Sequence, residues 1–179
     1  MKKSKILIFI LVFVIMMLSF SVNVAATTWS YMFTNLDFTK ITSDYSTSHK
    51  GIDIISKSST SINGASIRAV FSGKVAYKYN HDPNLPNTGN NSAGNYVVII
   101  NTAETHKAGF MHMTNPCSLN LNASVTTSTI LGTVGSTGQA TGPHLHHTVH
   151  SGTSNWATSS TGVTAVYDPK DFYNVTFSY

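Results

Sequence analysis

The sequence has one cysteine, few charged residues and no extended helical pattern. Cys117 is the only thiol among 179 residues, which excludes an internal disulfide and a zinc site made of several cysteines. Asp, Glu, Lys and Arg make up 10% of the chain, against roughly 25% in typical soluble domains. The length suits one domain, and the polar but uncharged composition favours an exported, loop-rich domain over a charged helical one.

The positive charge is concentrated at the start of the chain. The formal charge is +4, but Lys2, Lys3 and Lys5 supply three of the eleven basic residues. The remaining chain carries eight basic and seven acidic residues. Nucleic-acid-binding surfaces show a clear basic excess, so we do not expect a nucleic-acid partner.

The first 26 residues have the pattern of a signal peptide. An apolar run at 6–18 follows the lysines, and Val24-Ala25-Ala26 forms an Ala-x-Ala-like cleavage site. A retained membrane anchor is the alternative, but the run is shorter than the roughly 20 residues that a spanning helix needs. We therefore expect export and cleavage, a mature chain beginning near Thr27, and no stable membrane partner afterwards.

Beyond residue 48 the chain consists of short runs rich in β-branched and aromatic residues, separated by Gly, Asn, Pro and Ser. This pattern predicts strands and an all-β, or nearly all-β, fold. The segment 82–93, with two prolines and several asparagines, predicts a long loop that forms either a functional wall or a disordered flap. The predicted strands are 51–55, 66–71, 74–79, 96–101, 109–113, 130–134, 144–150 and 172–177.

Two histidine motifs indicate a metal site. His144 and His146 are two residues apart, so on a strand they share a face, whereas on a helix they would diverge. His49 and Asp53 are four apart and would also share a strand face. An imidazole and a carboxylate joined by a histidine from another strand make three ligands with an open fourth position, which is typical of catalytic zinc.

Several separated stretches together resemble the lysostaphin/LytM-type zinc endopeptidases of bacterial cell walls. The resemblance covers roughly residues 42–173, in the family's order. The matching stretches are HKGIDI at 49–54, SGKV at 72–75, GNYVVI at 94–99, FMHM at 110–113, GSTG at 135–138, TGPHLH at 141–146 and DP at 168–169.

The resemblance implies a role for each matching residue. His49, Asp53 and His146 correspond to the ligands of one Zn2+ ion, and His112 and His144 correspond to the two catalytic histidines. Nothing in the residues alone singles out His112. One histidine would take a proton from water while the other stabilises the developing oxyanion.

The resemblance also implies a domain layout and a function. We expect a signal peptide at 1–26, a short lead-in at 27–41, and a catalytic domain at 42–179 with one antiparallel sheet and long loops around a zinc groove. The expected activity is hydrolysis of peptide bonds in peptidoglycan cross-bridges or stem peptides, outside the cell and at the wall. The alternative is a catalytically silent wall-binding or scaffolding module on the same fold.

Overall fold

The computed structural model describes residues 29–157 and 161–179, so the predicted signal peptide lies outside the described residues. Within them no helix is long and apolar enough to cross a membrane. The only helices described are two short 3-10 turns, at Gly89–Ala93 and Pro169–Phe172. The strands are β1 (Lys40–Ser43), β2 (Ile52–Ile55), β3 (Ser66–Arg68), β4 (Gly73–Tyr79), β5 (Asn95–Asn101), β6 (Lys107–Met113), β7 (Ser124–Val125), β8 (Ile130–Thr133), β9 (Leu145–Gly152) and β10 (Val163–Tyr167).

One antiparallel sheet contains eight of these strands, which confirms the predicted fold class. Its order is β1-β2-β9-β6-β5-β4-β7, and β10 pairs with β9. The strand β9 lies at the centre of the sheet because β2, β6 and β10 all pair with it. A second, small sheet joins β3 to β8.

The alternation of residues along the strands gives the large sheet two different faces. Ile52 and Ile54 of β2 and Val97 and Ile99 of β5 point to one face, which holds the main hydrophobic core. Tyr96 and Val98 of β5 point to the other face, where they join a smaller cluster with Ala93 and Met111. The polar residue Asp53 alternates with the buried isoleucines of β2, so it lies on this second face.

The lead-in segment packs into the same core as the strands. Met32, Phe33, Phe38 and Ile41 are all buried in the main cluster. The strand β1 runs across the expected boundary between residues 41 and 42 and pairs with β2.

The predicted strand at 172–177 is wrong. A 3-10 turn runs instead from Pro169 to Phe172. The carboxylate of Asp168, just before the turn, accepts a hydrogen bond from the backbone N–H of Lys170. The chain beyond it makes only isolated bridges, at Tyr173 and Ser178. The prediction also missed β10, whose β-branched sequence Val163–Tyr167 follows directly on a turn.

Two buried histidines on β9 are held in their neutral form. The Nδ1 of His147 donates to the carbonyl of Gly109, and its Nε2 accepts from the Tyr173 hydroxyl. Burial lowers the pKa of His147 to about 3. Burial also lowers the pKa of His150, whose Nε2 donates to the Ser154 carbonyl, to about 4.

These pKa values predict that the protein loses stability as the pH falls below about 6.5. An unfolded histidine has a pKa of about 6.5, so between pH 6.5 and 4 the unfolded chain binds more protons than the folded chain. Each buried histidine then lowers the free energy of unfolding by about 1.4 kcal/mol per pH unit. Urea unfolding between pH 4.5 and 7 measures this slope, and a His147→Gln or His150→Gln variant should show a shallower one. Parallel slopes for the wild type and both variants would contradict the prediction.

Candidate active site

All five predicted site residues line one open pocket on the second face of the sheet. This central pocket has a volume of about 420 Å³. Its walls also include residues that the sequence did not single out, namely Ser48, Ser92, Ala93, Met111 and Gln139. Ser92 and Ala93 come from the loop 82–93, where the proline and asparagine content was the only signal.

The pairing of strands brings the carboxylate and one imidazole together. Asp53 on β2 lies directly opposite His146 on β9, and Met111 on β6 lies opposite His146 on its other side. The Nδ1 of His146 is 2.7 Å from the Oδ1 of Asp53. Neighbouring strands of an antiparallel sheet place opposite side chains on the same face, so the register alone creates this contact.

His49 reaches the pocket from a loop, so the prediction that it shares a strand face with Asp53 is wrong. The strand begins only at Ile52. The His49 amide donates to the Ser46 hydroxyl at 3.0 Å, and the His49 Nδ1 donates to the Asp44 carbonyl at 2.9 Å. These two bonds hold the ring so that its Nε2 faces the carboxylate of Asp53.

The ligand atoms of His49, Asp53 and His146 form a group of the kind that can hold a zinc ion. One ligand atom from each residue lies within 4.8 Å of the other two. The His49 Nε2 is 3.3 Å from the Asp53 Oδ2, close to the roughly 3.3 Å that separates tetrahedral ligands bound to zinc at about 2.0–2.1 Å. Two imidazoles and one carboxylate are ligands that zinc prefers, and the pocket leaves a further position open.

Asp53 is ionised at neutral pH. Burial would raise the pKa of its carboxyl, but the hydrogen bond with His146 and the electrostatic attraction of His146, His49 and His144 in their protonated forms outweigh burial and lower it to about 2. A carboxylate that is already deprotonated can bind a cation without releasing a proton.

His112 lies in the pocket because the backbone of β6 is distorted there. Its φ is 60°, in the left-handed region that residues other than glycine seldom adopt. The register between β5 and β6 shifts at the same place. Met111 and His112 therefore both face the pocket, and Met113 returns to the main core. Regular alternation would have turned His112 towards the core with Phe110, so no sequence pattern could reveal its place.

The two predicted catalytic histidines lie side by side with the same tautomer. Their ring centroids are 4.7 Å apart. The Nδ1 of His112 donates to the Thr137 carbonyl at 2.8 Å, and the Nδ1 of His144 donates to the Gly142 carbonyl at 2.9 Å. A carbonyl can only accept, so the Nε2 of each neutral ring keeps a free lone pair. Burial lowers the pKa of His112 to about 4, which keeps its ring neutral at pH 7.

The loop 82–93 forms an ordered wall of the pocket, so the flap alternative is wrong. The buried Asn91 holds the loop together, because its Oδ1 accepts from the Asp82 amide. Its Nδ2 donates to three carbonyls of the same loop, those of Asp82, Leu85 and Pro86. The backbone N–H of Gln139 donates to the Ser92 carbonyl at 2.8 Å and so joins this wall to the loop that follows β8.

Gly51 gives a direct test of the ligand geometry. A Cβ at this position would lie 2.5 Å from the His147 carbonyl oxygen and 2.8 Å from the His146 Nε2. We expect Gly51→Ala to displace the His146 ring and weaken zinc binding at least ten-fold, measured by competition with a chelating dye. Gly142→Ala is the matched control, since a Cβ there meets nothing within 4 Å. Equal zinc affinity in both variants would refute the assigned geometry.

Comparison with known proteins identifies the family of this chain. The sequence model of peptidase family M23 matches residues 47–159, more than half of the chain. A zinc-containing peptidase from Vibrio cholerae has a similar structure, with a TM-score of 0.57 and 23% identity over 79% of this chain. This chain spans 39% of the length of that protein.

Two catalytic domains with solved structures are also similar. The domain of the antimicrobial peptidase lysostaphin from Staphylococcus simulans has a TM-score of 0.52 and 25% identity, covering 69% of this chain and 77% of that domain. The domain of the prophage-encoded M23 protein EnpA from Enterococcus faecalis has a TM-score of 0.54 and 26% identity, covering 74% and 98%. The family resemblance seen in the sequence is therefore confirmed, and the chain belongs to peptidase family M23.

Proposed function

We propose that the chain is an exported, zinc-dependent endopeptidase that hydrolyses peptide bonds in bacterial peptidoglycan. The convergence of His49, Asp53, His146, His112 and His144 in one open pocket carries this proposal. Membership of a peptidase family and the similarity to the lysostaphin catalytic domain support it. The signal-peptide pattern at 1–26 supports export to the cell wall.

Three residues would hold the metal. Zinc would be bound by the Nε2 of His49, a carboxylate oxygen of Asp53 and the Nδ1 of His146, and it would take the place of the proton that lies between that Nδ1 and Asp53. Zinc bound by them would lower the pKa of water and polarise the peptide carbonyl. The charge on Asp53 would partly neutralise the cation, and the open side of the pocket leaves room for a peptide chain.

The other two histidines would move the proton. In the neutral form of each ring the Nε2 carries the lone pair, because the Nδ1 donates to a backbone carbonyl. One Nε2 takes the proton of the attacking water and returns it to the leaving amine. The other, once protonated or hydrogen-bonded through water, stabilises the oxyanion that develops on the carbonyl. Both rings are fixed before substrate binds, so little reorganisation is needed during the reaction.

Substitutions should separate metal binding from proton transfer. We expect His146→Ala to lose both zinc and activity, because it removes one of three ligands. We expect His112→Asn to keep zinc and to lose about 100-fold or more in kcat, as removal of a general acid–base group typically does. Asparagine suits this site because it tolerates the left-handed backbone at residue 112.

Zinc content by mass spectrometry and cleavage rate are measured on the same samples. His106→Asn provides the matched control, since His106 packs against Trp29 and Phe172 away from the central pocket. Full activity in His112→Asn, or full zinc occupancy in His146→Ala, would contradict the assigned roles.

Isolated peptidoglycan provides the test of the activity itself. We expect the purified protein to release fragments with new amine termini, detected by mass spectrometry. A chelator should abolish their release and added zinc should restore it. Protein that binds one zinc ion and the wall, yet releases no fragments from walls of several cross-link types, would instead support a catalytically silent binding module.

A further inference from the structure

The loop 44–51, which joins β1 to β2 and carries His49, is tied to two residues that are distant in sequence. Asp44 opens this loop, and its backbone carbonyl accepts from the His49 Nδ1 at 2.9 Å. The carboxylate of the same residue accepts from the Lys170 ammonium and, at 3.2 Å, from the Tyr179 hydroxyl. Asp44 therefore holds the imidazole with its backbone and is itself held by its side chain.

The contacts of the Asp44 carboxylate form a closed network rather than a single ion pair. The Lys170 Nζ also donates to the Tyr179 hydroxyl at 3.0 Å and lies 3.5 Å from the Asp168 Oδ2. The Asp44 Oδ1 accepts in addition from the Tyr45 N–H at 2.8 Å. The Lys170 side chain is only 19% exposed. An isolated exposed ion pair contributes little, whereas a partly buried network of this kind fixes its members.

Lys170 and Tyr179 are positioned by their own backbones, without help from Asp44. The turn that carries Lys170 is capped at its start by the side chain of Asp168. The N–H of Ile41 in β1 donates to the Ser178 carbonyl at 2.7 Å, which places the neighbouring Tyr179 beside β1. The two donors are therefore in place before they meet the carboxylate, so they orient Asp44 rather than follow it.

The orientation of Asp44 decides what His49 offers to a metal. While the carbonyl accepts from Nδ1, the lone pair of the neutral ring lies on Nε2, which is 3.3 Å from the Asp53 Oδ2. If the carbonyl turned away, the proton could move to Nε2 and the ring could rotate. Groups that accept from the second nitrogen of a metal-binding histidine fix both its tautomer and its direction.

We propose that Lys170 is a positioning residue of the metal centre. Together with Tyr179 it holds the Asp44 carboxylate, which keeps the Asp44 carbonyl on the His49 Nδ1 and directs the His49 Nε2 to the metal. The inference rests on the proposed function for the metal, whereas the orientation of the His49 ring can be tested without one.

The tautomer of His49 is the first measurement, made on metal-free protein. Labelling of histidine with nitrogen-15 distinguishes protonated from unprotonated ring nitrogens by NMR, and the spectrum of His49→Gln identifies the signals of His49. At about pH 8.5, above the usual histidine pKa of about 6.5, the rings are neutral. We expect the wild type to carry the proton on Nδ1. In Lys170→Met, at least about a tenth of the His49 rings should adopt the other tautomer.

Zinc affinity, measured by competition with a chelating dye, is the second measurement. We expect Lys170→Met to weaken binding about five-fold, less than the roughly ten- to hundred-fold that loss of a direct partner of a ligand costs. Lys170→Arg keeps the charge and the donors and should stay within two-fold. Asp44→Asn removes the same ion pair from its other side and keeps the backbone carbonyl. It should therefore match Lys170→Met, and it replaces that variant should Lys170→Met not fold. The two changes together should weaken binding no more than either alone.

Lys74→Met is the matched control, because it breaks the ion pair of Lys74 with Glu104, and neither residue lines the central pocket. Its zinc affinity and its His49 tautomer should equal those of the wild type. Equal losses in Lys74→Met, or wild-type zinc affinity in both Lys170→Met and Asp44→Asn, would overturn the positioning role alone. A wild type that binds no zinc, with the tautomer of His49 still shifted in Lys170→Met, would overturn the proposed metal and keep the positioning role.

Discussion

Ile52 and Ile54 on β2 and Leu145 on β9 are fully buried, and their burial fixes how these two strands pair. Each such side chain stabilises the fold by about 1.5–3 kcal/mol. A shift of one residue along β2 would turn Asp53 into the core and the isoleucines towards solvent. Burial of an unpaired carboxylate adds a further cost. A register that keeps the core apolar therefore also keeps Asp53 on the face that carries His146, and the observed pairing sets the two directly opposite each other.

The parts of the site that follow the strand period could be predicted from the sequence. The two-residue spacing of His144 and His146 predicts that both face one side, and both line the pocket, although β9 begins only at Leu145 and His144 precedes it. His112 could not be found in this way, because its left-handed φ breaks the alternation of β6. The resemblance to a family supplied what periodicity could not. The strand expected at 172–177 is absent, because Pro169 and the Asp168 side chain favour a turn immediately before it.

The walls of the pocket depend on contacts between segments that are far apart in sequence. The Thr137 hydroxyl accepts from the backbone N–H of Asn95 and donates to the Met113 carbonyl. It therefore joins β5 and β6 to the loop after β8. Asn91 closes the loop 82–93 on itself. Such bonds involve common polar residues with no distinctive spacing. Composition could therefore predict that a loop exists there but not that it is an ordered wall.

Backbone carbonyls decide which nitrogen of three histidines carries the proton. Those of Asp44, Thr137 and Gly142 accept from the Nδ1 atoms of His49, His112 and His144. In its neutral form each ring is left with a lone pair on Nε2. His146 differs, because its Nδ1 faces Asp53 and its Nε2 lies close above Gly51, where any side chain would displace it. All three accepting carbonyls lie outside the strands. The sheet thus fixes where Asp53 and His146 meet, whereas the loops fix which lone pairs the other histidines offer for metal binding and proton transfer.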